Sequence, residues 1–392
     1  MSKARRCLVS DRMPFQWRDI LQNWMLGEPP DYEIQDVVNA FNDVERIMGS
    51  KWLNRVFGQS RGTMITIEII ELGRTLREIE KIPAGSSLIS KIATCYPHTI
   101  YQGNSRRQPD PTTFKSSDEL HELAHALAVA QSVAHYRRHS VEVELEPELF
   151  VKTKKKHPDF RVKHDNTWVY VEVVCPGFSQ EEQNIYKTLA RIANVNDEIR
   201  MDRVAEVYLF KDPSDTEISQ IIDKCKSLAE SDMQPQECAI GNTAQIFTNP
   251  WNQERLPTFL PAVNEKRPIL GFVRFEIKNE EGIAHGRKCN VKMPFTDERA
   301  QRILSEKSRQ LSKEHPGLII VDVSRVSGGL KRWPELMKGR LQPNLNRRIS
   351  GILITESSIS GKSMKTEKRF VKHPNPIHAL PQNFLQVTNS TS

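Results

Sequence analysis

The 392-residue chain is predicted to be a mixed α/β protein with a mainly helical N-terminal part. Three observations predict this. After about residue 115, short apolar runs of strand type alternate with segments of helical periodicity. Before about residue 110 the periodicity is mainly helical. Hydrophobic residues make up 38% of the chain, enough to bury a core and to exclude wholesale disorder.

The elements follow in order. Residues 13–25 place Phe15, Trp17, Ile20, Leu21, Trp24 and Met25 at helical spacing. Residues 31–49 carry Val37, Val38, Phe41, Val44, Ile47 and Met48 on one side, with Gly49 as the stop. The polar, proline-containing stretch 105–113 is the expected linker, so a helical domain is predicted over 1–110 and a second domain over 115–392. The second begins with a helix at about 116–139. Strand-like runs follow at 141–151, 158–162 and 168–175, then a helix at about 180–199. A strand at 203–210, a helix near 216–230 and apolar runs at 244–248 and 269–277 read as an α/β insertion near 200–290. A helix at 296–314 and strands at 317–323 and 349–355 complete the pattern.

No apolar run reaches the ~20 residues of a membrane span, and the N-terminus lacks the apolar stretch of a secretory signal. The six cysteines are scattered without a C-x-x-C pair, which excludes a disulfide framework or zinc knuckle. The expectation is a cytoplasmic protein. Net charge is +7. Between Lys331 and Lys372, eleven basic residues, Arg347 and Arg348 among them, face three glutamates. A second basic run contains Lys154, Lys155 and Lys156. Clustered cations attract phosphates, so both segments are candidate nucleic-acid contacts, DNA above all.

The chemistry centres on Glu172, an ionisable group in the middle of the apolar run Trp168–Cys175. An unpaired buried carboxylate is very costly and needs a cation, a proton or a partner. A buried ion pair with Lys or Arg is one answer. The other involves Asp159, thirteen residues earlier, in Pro158-Asp159-Phe160 at the start of a short strand. Two adjacent strands can bring these acids together, and a divalent metal between them would make that tolerable.

At these residues the chain resembles the PD-(D/E)XK nuclease superfamily. A helix with acidic residues, a strand over 141–151, Pro158-Asp159 and Glu172 in a central strand occur in that order. The resemblance extends loosely over residues 115–355. It implies a restriction-endonuclease-like α/β sandwich and a Mg²⁺- or Mn²⁺-dependent nuclease. It implies metal ligation by Asp159, Glu172 and the Val173 carbonyl, and an acid on the first helix near the metal, Glu119 ahead of Glu122. The family's lysine, two residues after the second acid, is replaced here by Val174.

The missing amine is expected from Lys307. Ala300, Ile303, Leu304 and Leu311 form one helical stripe, and Lys307 falls close to its centre, with Gln310 three residues on. Lys187 points away from the apolar side of its own helix. A competing motif, His121-Glu122-Leu123-Ala124-His125, matches the zinc metalloprotease signature H-E-x-x-H. Leu120, Leu123, Leu127, Ala130 and Ala134 define an apolar stripe, which predicts that His121 and His125 face solvent.

The functional expectation is therefore a nuclease, for which bacterial defence is the fold analogy. A catalytically degenerate nucleic-acid-binding module and a metalloprotease are the alternatives. The N-terminal domain is expected to hold a protein partner or a second copy.

Overall fold

The computed structural model describes residues 32–57, 63–100, 117–151, 154–177, 180–230, 235–251, 269–280, 283–294, 298–324, 326, 329–360 and 363–389. The helix expected over 13–25 lies outside them.

Among the described residues four helices come first: α1 (Ile34–Met48), α2 (Ser50–Phe57), α3 (Thr63–Ile79) and α4 (Gly85–Ile100). Helix α1 buries Val37, Ala40, Phe41 and Val44, one stripe at helical spacing, and ends at Gly49 with φ at +90°. Helix α3 crosses α1 at Gly73. A Cβ there would meet the Ala40 carbonyl oxygen at 2.3 Å, so only glycine lets the two backbones come this close.

Helix α5 (Ser117–Arg138) leads into β1 (Glu142–Leu145), β2 (Leu149–Val151), β3 (Lys154–Lys156), β4 (Phe160–His164), β5 (Thr167–Val174) and α6 (Gln180–Ala193). The run expected as one strand over 141–151 is broken. Glu146 turns left-handed, with φ at +46°, and Pro147 has no N–H to give a ladder. Its second half pairs with β3 in a separate two-stranded hairpin.

Residues 203–294 supply β6 (Arg203–Leu209), α7 (Asp215–Glu230), β7 (Gln236–Ile240), β8 (Ala244–Pro250), β9 (Ile269–Glu280) and β10 (Ile283–Pro294). These strands form their own sheet in the order β7-β8-β6-β10-β9. A core from Ile185 to Met293 joins α6 and α7 to it. Then come α8 (Arg299–Ser308), β11 (Gly317–Asp322), α9 (Gly329–Arg340), β12 (Gly351–Ser360), β13 (Ser363–Lys372) and α10 (Phe384–Asn389).

The larger sheet runs β1-β4-β5-β11-β12-β13. Its β1, β4 and β5 are antiparallel neighbours, and β11 and β12 run parallel to β5. Side chains alternate across it. Val169, Val171 and Val173 face α5 and the N-terminal helices in one core. Tyr170, Ile319 and Ile352 face α8 and α9 in another.

The first core spans the linker expected near residue 110. It runs unbroken from α1 through α5 to β1, β4, β5, β11 and β12. Helix α5 causes this, because it is buried on two sides: Ala124, Ala126, Ala128 and Val129 are covered as well as Leu123, Leu127 and Ala130. Such a helix has no single apolar stripe.

Helix α8 is shorter than the span expected over 296–314, and its start is anchored. The Arg299 guanidinium donates to Glu182 Oε1 on α6 at 3.0 Å and to the Gly177 carbonyl at 2.6 Å, and its Nη1 lies 2.7 Å from Glu182 Oε2 in an ion pair. The two side chains are 5% and 0% exposed. Arg299 also lies over the Trp333 ring of α9. Removing one partner would leave a buried charge without its counterpart. Glu182→Ala or Arg299→Ala is expected to cost about 3–5 kcal/mol in denaturant unfolding, with the double variant Glu182→Leu/Arg299→Met recovering most of it. Single-variant losses below about 1 kcal/mol, the scale of an exposed pair, would show that this contact does not anchor α8.

Candidate active site

The site forms where β4 stops and β5 continues. Their ladder begins at the pair Phe160–Val171, so Glu172, Val173 and Val174 extend past it. Asp159 fills the gap. Its Oδ2 accepts the Val173 N–H at 2.7 Å, where a strand partner would otherwise stand. Its main-chain carbonyl accepts the Glu146 N–H at 3.0 Å. An extended residue turns its N–H and C=O to the same edge, so the Val173 carbonyl also faces the Asp159 side.

Strand alternation sends Glu172 to the face that carries α8. Its side chain is 2% exposed, and its Oε2 accepts from Lys307 Nζ at 2.7 Å. Lys307 also donates to Gln310 Oε1 at 3.0 Å. Helical phase explains this meeting: Lys307 follows the buried Ile303 and Leu304 by four and three residues. Glu172 Oε1 is buried and has no hydrogen-bond partner among the described residues.

His125 corrects an expectation. It is only partly turned to solvent: its side chain is 35% exposed and its Nε2 lies 3.4 Å from Asp159 Oδ1. The stripe argument assumed one apolar side, whereas α5 has two. His121 is exposed. Cys175 Sγ donates to the Ala124 carbonyl and ties α5 to the end of β5 beside the site.

The two acids are pushed apart electrostatically. Burial, then the nearby Asp159 charge, raises the Glu172 carboxyl from 4.5 to about 7, with Lys307 opposing. Burial also works against an ionised Asp159. Its contact with His125, the Val173 N–H and the Lys307 charge outweigh that and hold it below the ordinary value.

The other candidate residues lie as follows. The side chains of Glu119 and Lys154 lie outside those described. Lys155 is exposed and pairs with Glu148, and Lys156 is half-buried. Val174 packs against the apolar cluster below α8, and Lys187 is exposed. Arg347 is exposed and donates to the Asn375 carbonyl, while Arg348 donates to the Arg309 and Leu311 carbonyls. The basic segment is not one continuous face. Lys368 turns inward to His135 and the Thr388 carbonyl, and burial lowers its ammonium to about 8.

Asp159, Glu172 and the Val173 carbonyl are oxygen donors of the kind that Mg²⁺ or Mn²⁺ takes. Glu172 Oε1 is the unclaimed donor. Mg²⁺ keeps several waters and needs only one or two carboxylates, so these residues fit it. Among the described residues no group of three or more His, Cys, Asp or Glu could hold a metal ion, so the fit rests on two carboxylates and a main-chain carbonyl.

Compared with protein-family models, curated proteins and solved structures, the chain matches none of them. The functional reading rests on the chemistry of the site.

The raised Glu172 value has a measurable consequence. The folded protein binds this proton more tightly than the unfolded chain does. The resulting stability is fully present below pH 4.5 and is lost as pH rises to about 7. Asp159 acts in the opposite sense, and only below the ordinary carboxylate range. In chelator, the unfolding free energy of the wild type, relative to Glu172→Gln, is expected to fall across pH 4.5 to 7. Parallel pH profiles for the two proteins would contradict this placement of Glu172.

Proposed function

We propose that this chain is a metal-dependent nuclease with a restriction-endonuclease-like core, hydrolysing phosphodiester bonds in nucleic acid, DNA in preference to RNA. One observation carries the reading. A buried carboxylate on a central strand keeps one oxygen free beside a second carboxylate. A purely structural Glu172–Lys307 pair gains nothing from Asp159 nearby, because the like charges repel. Groups held at such a cost cluster at functional sites. The order of elements adds support: α5, β1, Asp159 before β4, then Glu172 on β5, as the resemblance requires.

In this reading Asp159, Glu172 and the Val173 carbonyl hold Mg²⁺ or Mn²⁺. When bound, the ion supplies a Lewis acid for the phosphoryl oxygens and lowers the pKa of a bound water. Helix α8 provides the amine that Val174 cannot. Lys307, oriented by Gln310, carries three donors on a point charge and serves to neutralise a phosphoryl oxygen. His125 steadies the outer oxygen of Asp159. Exposed basic residues such as Arg347, Arg369 and Lys372 draw in the polyanion.

The test is a cleavage assay on plasmid, linear and single-stranded DNA and on RNA, with Mg²⁺, with Mn²⁺ and with chelator. Cleavage is expected with either metal and not in chelator. Asp159→Asn and Glu172→Gln are expected to fall to background while remaining folded. Variants cutting at the wild-type rate would overturn the assignment. Salt-dependent binding by a wild type that cuts nothing would make the chain a non-catalytic nucleic-acid-binding module.

A further inference from the structure

A cavity of about 300 Å³ opens between α4, α5 and the end of β1, and it reaches the candidate active site. Asp159 and His125 line both. Its walls are apolar: Leu88 from α4, Ala126 and Val129 from α5, and Leu145 from β1. Besides Asp159, two carboxylates stand at it, Glu122 on α5 and Glu146 after β1, and Lys91 Nζ lies 3.2 Å from Glu146 Oε1.

The rim is conformationally costly. Ala84 and Glu146 both adopt left-handed backbone, with φ at +64° and +46°. Neither residue type favours that region, and each costs on the order of 1 kcal/mol. Strain of this kind collects at ligand clamps, where the surrounding fold holds it in place. The volume is at the small end of ligand sites, room for a single flat ring system and its sugar rather than a helix.

We propose that this cavity takes one unpaired nucleobase of the substrate, the base adjoining the phosphate that Lys307 and a metal ion on Asp159 and Glu172 would hold. The inference rests on the nuclease reading for the place of that phosphate. The occupant must be continuous with the reacting group, because the cavity and the site share Asp159. It must present apolar faces to Leu88, Ala126, Val129 and Leu145. It is not the backbone, because the exposed carboxylates Glu122 and Glu146 outnumber Lys91, which is already paired with Glu146, and repel phosphate. Glu122 and Glu146 accept hydrogen bonds and so select bases that carry an exocyclic amine, cytosine, adenine and guanine, over thymine. A base inside a duplex cannot enter without unstacking, at a cost of a few kcal/mol. The substrate is therefore single-stranded nucleic acid, a flap or a frayed end.

Two measurements on the full chain test this. The first is binding of dCMP, dAMP and dTMP in chelator, followed by NMR or calorimetry, which needs no chemistry. The second is the Mg²⁺-dependent cleavage rate on single-stranded and fully paired oligonucleotides. The wild type is expected to bind dCMP and dAMP at least about tenfold more tightly than dTMP and to cut single strands faster. Ala126→Phe fills the cavity and is expected to abolish nucleotide binding. Glu122 is exposed, so Glu122→Gln leaves packing untouched and is expected to weaken the preference over dTMP even if Ala126→Phe fails to fold. Equal rates on single and paired strands, or no binding of any mononucleotide, would overturn the proposal. Nucleotide binding without cleavage of any substrate supports the cavity and rejects the nuclease reading. Cleavage without nucleotide binding does the reverse.

Discussion

Glu172 is 2% exposed in the middle of β5, with its Oε2 2.7 Å from Lys307 Nζ, and the elements around it are arranged to supply that contact. An ionised carboxylate without a partner could not stay buried there. Alternation in β5 aims it at α8, and the phase of α8 aims Lys307 back. The start of α8 is set by Arg299 and Glu182, far apart in sequence and both buried. Burial raises the Glu172 carboxyl, and the repulsion from Asp159 adds to it.

The sheet provides the gap. Because β4 starts late, the Val173 N–H loses its ladder partner and takes the Asp159 carboxylate instead. A short strand thus sets the second acid beside the first. Helix α5 closes the other side with His125, and α4 behind it completes the cavity. The N-terminal helices therefore form a wall of the site as well as part of its core.

Much of this was legible in the sequence. Glu172 could be picked out because it interrupts an apolar run, and Lys307 because a charge sits on an apolar helical stripe. Both signals are local and periodic. The Arg299–Glu182 pair has no local signature, since its partners are 117 residues apart. The phase of His125 was misread because α5 is covered on two faces, and a stripe analysis assumes one face in water. The strand over 141–151 was overextended because its apolar pattern continues through Glu146, where the backbone turns. The inward turn of Lys368 depends on β13 lying beside α10, a tertiary fact that no charge count contains.

The central claim is that α8 delivers the amine which Val174 cannot. Val174 follows Glu172 by two residues on the same strand, so a lysine there would stand on the same face. The direct measurement compares metal-dependent cleavage by Lys307→Ala with that by Lys307→Ala/Val174→Lys. Lys307→Ala is expected to lose about 10²–10³ in kcat, and the double variant to regain at least about tenfold of it. A Lys307→Ala protein that cuts at the wild-type rate would contradict the account.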